Sequence, residues 1–208
     1  MRWTVTRALA MLLGGALSTQ ALAQQEEAVL SGPAPAFSLK VLNPDVAGRN
    51  WLSLGALAGD EPDDAGSKVV LLSFFASWCA PCKKELPLLV DLDTRFRSLG
   101  LRVVGVSIDK EEPGIAAAKR LISDHRVAYP VLSDRFNFVA RRYLGEQAPL
   151  PSVFLIRRDG TILAIDRGYT KDASAFLRAQ VDEALGLKRS AAAPRAPAAP
   201  AAPAVHKP

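Results

Sequence analysis

The sequence has few of the side chains that usually hold a metal ion. Among its 208 residues there are two cysteines and two histidines, namely Cys79, Cys82, His125 and His206. A tetrahedral zinc site takes about four such ligands. The cysteines form a single pair, one histidine lies in a predicted helix and the other lies near the chain end, so we expect no metal site.

The central part of the sequence also lacks an excess of either charge. The formal net charge is +5, but four of the 26 basic side chains, Arg2, Arg7, Arg195 and Lys207, belong to the end segments. Residues 24–189 therefore hold 22 basic against 21 acidic side chains. Domains that bind nucleic acid carry clustered basic surface, so this balance predicts no nucleic-acid partner.

No long apolar run follows the first 23 residues. Residues 1–24, MRWTVTRALAMLLGGALSTQALAQ, combine a basic start, an apolar stretch over 8–17 and small residues up to Ala23. This is the layout of a secretory signal peptide. A spanning helix needs about 20 apolar residues, so we expect cleavage after Ala23 and export to the periplasm or another extracytoplasmic space. A retained N-terminal anchor is the less favoured alternative.

Residues 189–208 lack aromatic side chains and are rich in alanine and proline. Such a composition cannot bury enough apolar surface to offset the entropy lost on ordering. We therefore predict a disordered tail, which is either a flexible linker or a weak contact to an envelope polymer or anionic membrane. The remaining residues, 24–188, suffice for one domain with its core over about 35–185.

Hydrophobic periodicity predicts an α/β domain. Continuous apolar runs favour buried strands, and apolar residues at helical spacing favour amphipathic helices. The predicted strands or extended segments are 37–41, 49–53 (its hairpin partner), 68–75, 101–108, 129–132, 152–156 and 161–166, and the predicted helices are 81–99, 112–125, 137–144 and 173–185.

The cysteine pair follows directly on the strand predicted at 68–75 and opens the next helix. Cys79 would then lie beside unpaired backbone N–H groups and the positive end of the helix dipole, which favours the thiolate. Cys82, one turn further along, lies at a distance suited to a disulfide. The pair can therefore cycle between dithiol and disulfide by thiol exchange.

Besides a metal site, the pair has two other interpretations, a structural disulfide and two inert thiols. A structural disulfide stabilises mainly by closing a long loop in the unfolded chain, so a ring with two intervening residues contributes little. Buried, inert thiols would not need to be placed at a helix start. Redox chemistry is the favoured interpretation.

Two segments then resemble a known family. Residues 77–87, SWCAPCKKELP, resemble the active-site segment of thioredoxin-fold proteins, and especially of the TlpA/ResA-like (DsbE-type) exported thiol-disulfide oxidoreductases. Residues 149–156, PLPSVFLI, followed by Asp159 and Gly160, resemble the second motif of that family. The resemblance implies a thioredoxin-like fold, with a central mixed β-sheet flanked by helices and, here, an N-terminal β-hairpin extension.

The resemblance also implies roles for individual residues. Cys79 resembles the exposed nucleophile and Cys82 the resolving thiol. Pro151 resembles the cis-proline that packs against the disulfide, and with Leu150 it would present backbone groups to a substrate strand. Proline has no N–H, which agrees with a position where the adjoining backbone pairs with something else.

The residues around the cysteines are expected to tune the site. Trp78 would offer an apolar landing surface to substrates, or else be an ordinary half-buried aromatic. Ala80 and Pro81, between the cysteines, would set thiol acidity and reduction potential. Glu85 would exchange protons with the pair, or else be an exposed first-turn glutamate favoured by the helix dipole. Ser73 stands where thioredoxin has an aspartate and cannot act as a carboxylate, so any proton relay must come from Glu85 or solvent.

The favoured function is reduction of disulfides in envelope proteins, with a membrane electron donor restoring the dithiol and a place in cytochrome c maturation. The chain would act as a monomer without a cofactor. The alternatives are an oxidant that donates its disulfide to secreted proteins, a binding or chaperone module built around Trp78, and a thiol peroxidase. Residues 104–109 resemble peroxiredoxins, but Leu72 and Ala76 replace the proline and threonine of their motif.

Overall fold

The computed structural model of the protein describes residues 32–59, 65–169 and 172–187. The predicted signal peptide over 1–23 and the predicted tail over 189–208 lie outside these residues, so both remain predictions. In the described part of the chain, no helix is long and apolar enough to cross a membrane.

Strands and helices follow each other in nearly the order that the periodicity predicts. They are β1 Ser38–Val41, α1 Pro44–Ala47, β2 Trp51–Ser53, β3 Val69–Phe75, α2 Ala80–Phe96, a 3-10 turn Arg97–Leu99, β4 Leu101–Ser107, α3 Glu112–Asp124, β5 Val131–Ser133, α4 Phe138–Leu144, β6 Ser152–Arg157, β7 Ile162–Arg167 and α5 Ala173–Ala184.

The strands of the described residues form one mixed sheet in the order β2-β1-β5-β4-β3-β6-β7. β3 pairs with β4, and β4 with β5, in parallel, while the other neighbours are antiparallel. The carboxyl ends of β3, β4 and β5 therefore share one edge of the sheet with the amino end of β6. We call this the carboxyl edge, and it carries the site described below.

Helices cover both faces of the sheet. On one face, the Tyr143 ring of α4 packs against Phe74 and Phe154, with centroid distances of 5.2 and 5.0 Å. Ser73 precedes Phe74 and therefore faces the opposite side of the sheet, because successive residues of a strand alternate. On that side it contacts Glu85 of α2. All of β3 is buried, as its apolar run predicts. The predicted α/β class, a mixed sheet between helices, is confirmed.

The N-terminal hairpin is also present, with a difference in its connection. β1 and β2 pair antiparallel, with Ser38 opposite Ser53. The connection contains the short helix α1, which ends at Gly48 with a φ of 66°. β1 also pairs with β5, which the sequence pattern does not predict and which joins the hairpin to the central sheet.

Candidate active site

Cys79 and Cys82 form a disulfide at the carboxyl edge, where β3 turns into α2. The Sγ atoms are 2.04 Å apart and the Cα atoms 5.3 Å apart. Cys79 is the N-cap residue of α2, and its Sγ accepts a hydrogen bond from the Cys82 backbone N–H at 3.2 Å. The expected position of the first sulfur at a helix amino end is therefore confirmed.

The exposure of the pair differs from what the resemblance implies. In this disulfide form Cys79 is 5% exposed and Cys82 2% exposed. Cys79 is thus wrongly predicted as an exposed sulfur in this state, because the bond to Cys82 and the N-cap contact draw it into the first turn of α2. Ala80 and Pro81 are exposed.

Trp78 is 69% exposed beside the buried cysteines. The alternative of a half-buried aromatic is therefore wrong. A large apolar side chain left in water beside a reactive pair is available for contact with another molecule.

The second motif meets the first at the same edge. The Leu150–Pro151 peptide bond is cis, as the resemblance implies. Ser152 lies opposite Phe74, so Pro151 comes next to the start of the cysteine turn. Pro151 is buried and Leu150 half-buried. The Pro151 carbonyl accepts from the Gly168 N–H at 2.8 Å, so this group is already paired within the domain.

Glu85 lies one turn beyond Cys82 and is 3% exposed. The alternative of an exposed first-turn glutamate is therefore wrong. Its Oε2 accepts a hydrogen bond from the Ser73 hydroxyl at 3.3 Å. The pKa of the Glu85 carboxyl is raised to about 7, first by burial and then by the negative charge of Asp166, while the Ser73 hydrogen bond offsets part of this rise.

Asp166 was not predicted as part of the site, although strand register explains its place. Ser73 lies opposite Val153, and Val153 lies opposite Asp166. Directly opposite residues point to the same face of a sheet. Asp166 therefore faces the same side as Ser73, under α2, where its charge acts on Glu85.

Asp109 was also missed, and it holds the turn before the cysteines. It is 2% exposed. Its carboxylate accepts from the Ser77 N–H at 2.9 Å, the Ser77 hydroxyl at 2.7 Å and the Ser107 hydroxyl at 2.8 Å. The sequence signal that could have identified Asp109 is an acidic residue directly after a buried strand. If that strand pairs in parallel with β3, the carboxyl ends of the two strands meet at one edge of the sheet.

Comparison with known proteins gives a result consistent with this geometry. The profile of the AhpC/TSA family matches residues 31–165, which is more than half of the chain. The chain belongs to the AhpC/TSA family. Its fold is thioredoxin-like, and its relatives confirm the resemblance to TlpA/ResA-like proteins.

The curated relatives include proteins named thiol-disulfide oxidoreductase ResA. The protein from Oceanobacillus iheyensis is 31% identical over 135 residues, which is 65% of this chain and 63% of the relative. The Bacillus subtilis protein is 32% identical over 108 residues, 52% of this chain and 58% of the relative. The matched region thus spans about three fifths of these relatives.

Solved structures agree with the sequence relatives. A Chlorobium tepidum crystal structure provisionally named thiol:disulfide interchange protein DsbE is 27% identical, with a TM-score of 0.62 over 75% of this chain and 97% of that one. A Bacteroides thetaiotaomicron solution structure provisionally named protein disulfide isomerase is 26% identical, with a TM-score of 0.61 over 74% and 88% of the two chains.

Proposed function

We propose that this protein is a thiol-disulfide oxidoreductase that reduces disulfides of proteins outside the cytoplasm. The observation that carries the proposal is the cysteine pair at the amino end of α2, with a buried carboxyl group of near-neutral pKa one turn behind it. The names of the relatives support a disulfide substrate, and the N-terminal sequence pattern supports export.

The proposed reaction begins with the dithiol. The Cys79 thiolate attacks one sulfur of a substrate disulfide, which forms a mixed disulfide and releases the other substrate sulfur as a thiolate that takes a proton. Cys82 then loses its proton and attacks the Cys79 sulfur. The substrate leaves as a dithiol, and two electrons have passed to it from the pair, which ends as the Cys79–Cys82 disulfide.

Glu85 is proposed as the group that takes the Cys82 proton. A general base works best when its pKa lies near the working pH, and the pKa of Glu85 is about 7. In a helix, residues three apart are neighbours, so the carboxyl group is within reach of Cys82 directly or through water.

The exposed residues around the pair are proposed to contact the substrate. Trp78 would provide the apolar landing surface, and Ala80 and Pro81 would lie under the incoming strand. From the other side of the cysteine turn, the backbone of Leu150 would pair with that strand, and Pro151 would hold this backbone in place, since its own carbonyl is bonded to Gly168.

The partners are proposed on the same basis. They are disulfide-containing envelope proteins, which include a substrate of cytochrome c maturation, and a membrane electron donor with a dithiol that restores the reduced pair. We propose that the protein acts as a periplasmic or otherwise extracytoplasmic monomer.

The test combines trapping with a reduction potential. We expect wild type to reduce insulin, Cys79→Ser to be inactive, and Cys82→Ser to accumulate mixed disulfides through Cys79. Equilibration with glutathione should give a potential nearer to that of thioredoxin, about −270 mV, than to that of DsbA, about −120 mV. A value near −120 mV would favour the disulfide-donating oxidant, and full activity of Cys79→Ser would favour the binding module.

A further inference from the structure

Two exposed aromatic side chains lie beyond the cysteine site on the carboxyl edge. Phe136 and Phe138 follow β5 and are 62% and 65% exposed, with ring centroids 5.9 Å apart. Trp78 follows β3 on the same edge. β4 alone separates β3 from β5, so the carboxyl ends of these two strands lie about 10 Å apart along the edge, given the usual strand spacing.

A chain of hydrogen bonds connects the two positions. Asp109, after β4, binds the backbone and hydroxyl of Ser77, next to Trp78. With its amide oriented to satisfy both groups, Asn137 donates to the backbone carbonyls of Ile108 at 3.1 Å and Asp134 at 2.9 Å. The loop that carries the two phenylalanines is therefore tied to β4, and β4 is tied to the cysteine turn.

Beside the two phenylalanines lies a groove of about 800 Å³ between β1, α3 and α4. Its apolar lining includes Phe37, Val41, Ile115 and Val139. An apolar groove next to exposed aromatic rings can receive an apolar segment of another protein.

The charges around the groove are mostly positive. Its exposed charged lining residues are Lys40, Lys119, Arg135 and Arg142 against the single acid Glu112. The Arg135 guanidinium lies 5.1 Å from the centre of the Phe136 ring. The other acidic lining residue, Asp134, is buried and accepts from the Ala140 N–H at 2.7 Å, so it is engaged within the domain.

We propose that the Phe136–Phe138 loop and this groove bind an extended, apolar and acidic segment of the protein substrate. The segment begins about three residues from the cysteine that Cys79 attacks, because each extended residue covers about 3.3 Å of the roughly 10 Å between the ends of β3 and β5. This inference rests on the proposed function, and it names the class of substrate that the site prefers.

The probes are three synthetic peptides in which one cysteine is held as a mixed disulfide with thionitrobenzoate. The first has two leucines and two glutamates three to six residues from the cysteine. The second has lysines in place of the glutamates, and the third has serines in place of the leucines. We expect reduced wild-type protein, in a single turnover, to release thionitrobenzoate from the first with a second-order rate constant about tenfold above that for either other peptide.

Variants test whether these peptide preferences depend on the Phe136–Phe138 loop and the groove. Phe136→Ser with Phe138→Ser should abolish the advantage of leucine over serine. Lys119→Glu with Arg135→Glu should reverse the preference from glutamate to lysine, and added salt should weaken both charge preferences. The matched control is Leu99→Ser, which removes an apolar side chain with 42% exposure at the opposite edge and should leave both ratios unchanged.

The outcomes separate this inference from the proposed function. If wild type releases no thionitrobenzoate from any of the three peptides, the proposed function is wrong. If it reduces all three with equal second-order rate constants, or if the control changes the ratios as much as the phenylalanine variants do, the disulfide chemistry stands and the docking surface is wrong. Light scattering that shows a dimer dissociated by the phenylalanine substitutions would assign the surface to a second copy and overturn the inference.

Discussion

At the scale of single residues, Glu85 has the most consequential environment in the site. Its carboxyl group is buried against Ser73, and its pKa is raised from the usual 4.5 to about 7. The unfolded chain loses this proton near pH 4.5, whereas the folded protein keeps it to about pH 7. The free energy of unfolding should therefore fall between these two values as the pH rises.

We predict that Glu85→Gln removes this fall. The pKa difference corresponds to about 3 kcal/mol of stability, present below pH 4.5 and lost by the time the pH exceeds about 7. Urea unfolding of the oxidised protein at pH 5 and pH 8 should show a loss about 2 to 3 kcal/mol smaller in the variant than in wild type. The exposed Glu183 gives the control, Glu183→Gln, and equal losses in Glu85→Gln and wild type would contradict the prediction.

Asp109 leads to a second prediction at this scale. Asp109→Ala leaves the buried Ser107 hydroxyl and the Ser77 N–H without their acceptor, which should cost about 3 kcal/mol. It should also slow alkylation of reduced Cys79, because the turn that places this sulfur at the helix start is loosened. Asp109→Asn keeps an acceptor oxygen and should be milder in both respects.

Urea unfolding and iodoacetamide kinetics would measure these effects. Asp124→Ala, at the exposed end of α3, is the matched control and should change stability by less than about 0.5 kcal/mol. A full-rate alkylation of Asp109→Ala would show that the carboxylate does not hold the cysteine turn.

At the scale of elements, the end of α2 and the start of β4 depend on a glycine. Gly100 has a φ of 110°, and its carbonyl accepts from Lys68 at 2.9 Å and Val69 at 3.2 Å. A Cβ at this position would lie 2.9 Å from the Gly66 carbonyl oxygen. The junction therefore needs glycine both for its backbone conformation and for the close approach of the chain that leads into β3.

We predict that Gly100→Ala costs about 3 kcal/mol in urea unfolding, through backbone strain and the contact with Gly66. Gly186→Ala is the matched control, since Gly186 has a φ of 72° and nothing within 4 Å of the added carbon. It should lose about 1 kcal/mol from strain alone. Equal losses would show that the close approach at Gly100 relaxes without cost.

At the scale of the whole molecule, the domain boundary can be tested at its carboxyl end. Leu177 and Val181 of α5 are 2% and 0% exposed, and Arg178 of α5 pairs with Asp91 of α2 at 2.7 Å. This helix is therefore part of the core. The alanine- and proline-rich composition of the predicted tail that follows it is not suited to packing in a core.

We predict that a chain ending at Lys188 keeps its free energy of unfolding within about 0.5 kcal/mol and its disulfide-reducing activity unchanged. A chain ending before α5 should lose about 4 kcal/mol or more, because two buried apolar side chains are removed. Circular dichroism during urea unfolding would measure both free energies, and insulin reduction would measure the activity. A large loss on removing 189–208 alone would place the boundary further along the chain.

Local sequence patterns predicted those structural features that a single segment determines. The apolar run of β3 predicted a buried strand, and the spacing of the cysteines at the following helix predicted their disulfide. The contacts of Asp109 with Ser77 could not be predicted in this way, because the two residues are 32 positions apart and meet only when β3 and β4 pair in parallel. The pairing of β1 with β5 was missed for the same reason.

The sequence by itself determined the chemistry that is available, because a helix start with two cysteines one turn apart needs only local geometry to form a small reactive ring. The tertiary structure alone decided how acidic the groups around that ring are. The pKa of Glu85 depends on its burial between α2 and the sheet and on the charge of Asp166, which belongs to a strand far along the chain. Desolvation results from all the atoms packed around a group, and no single segment supplies them.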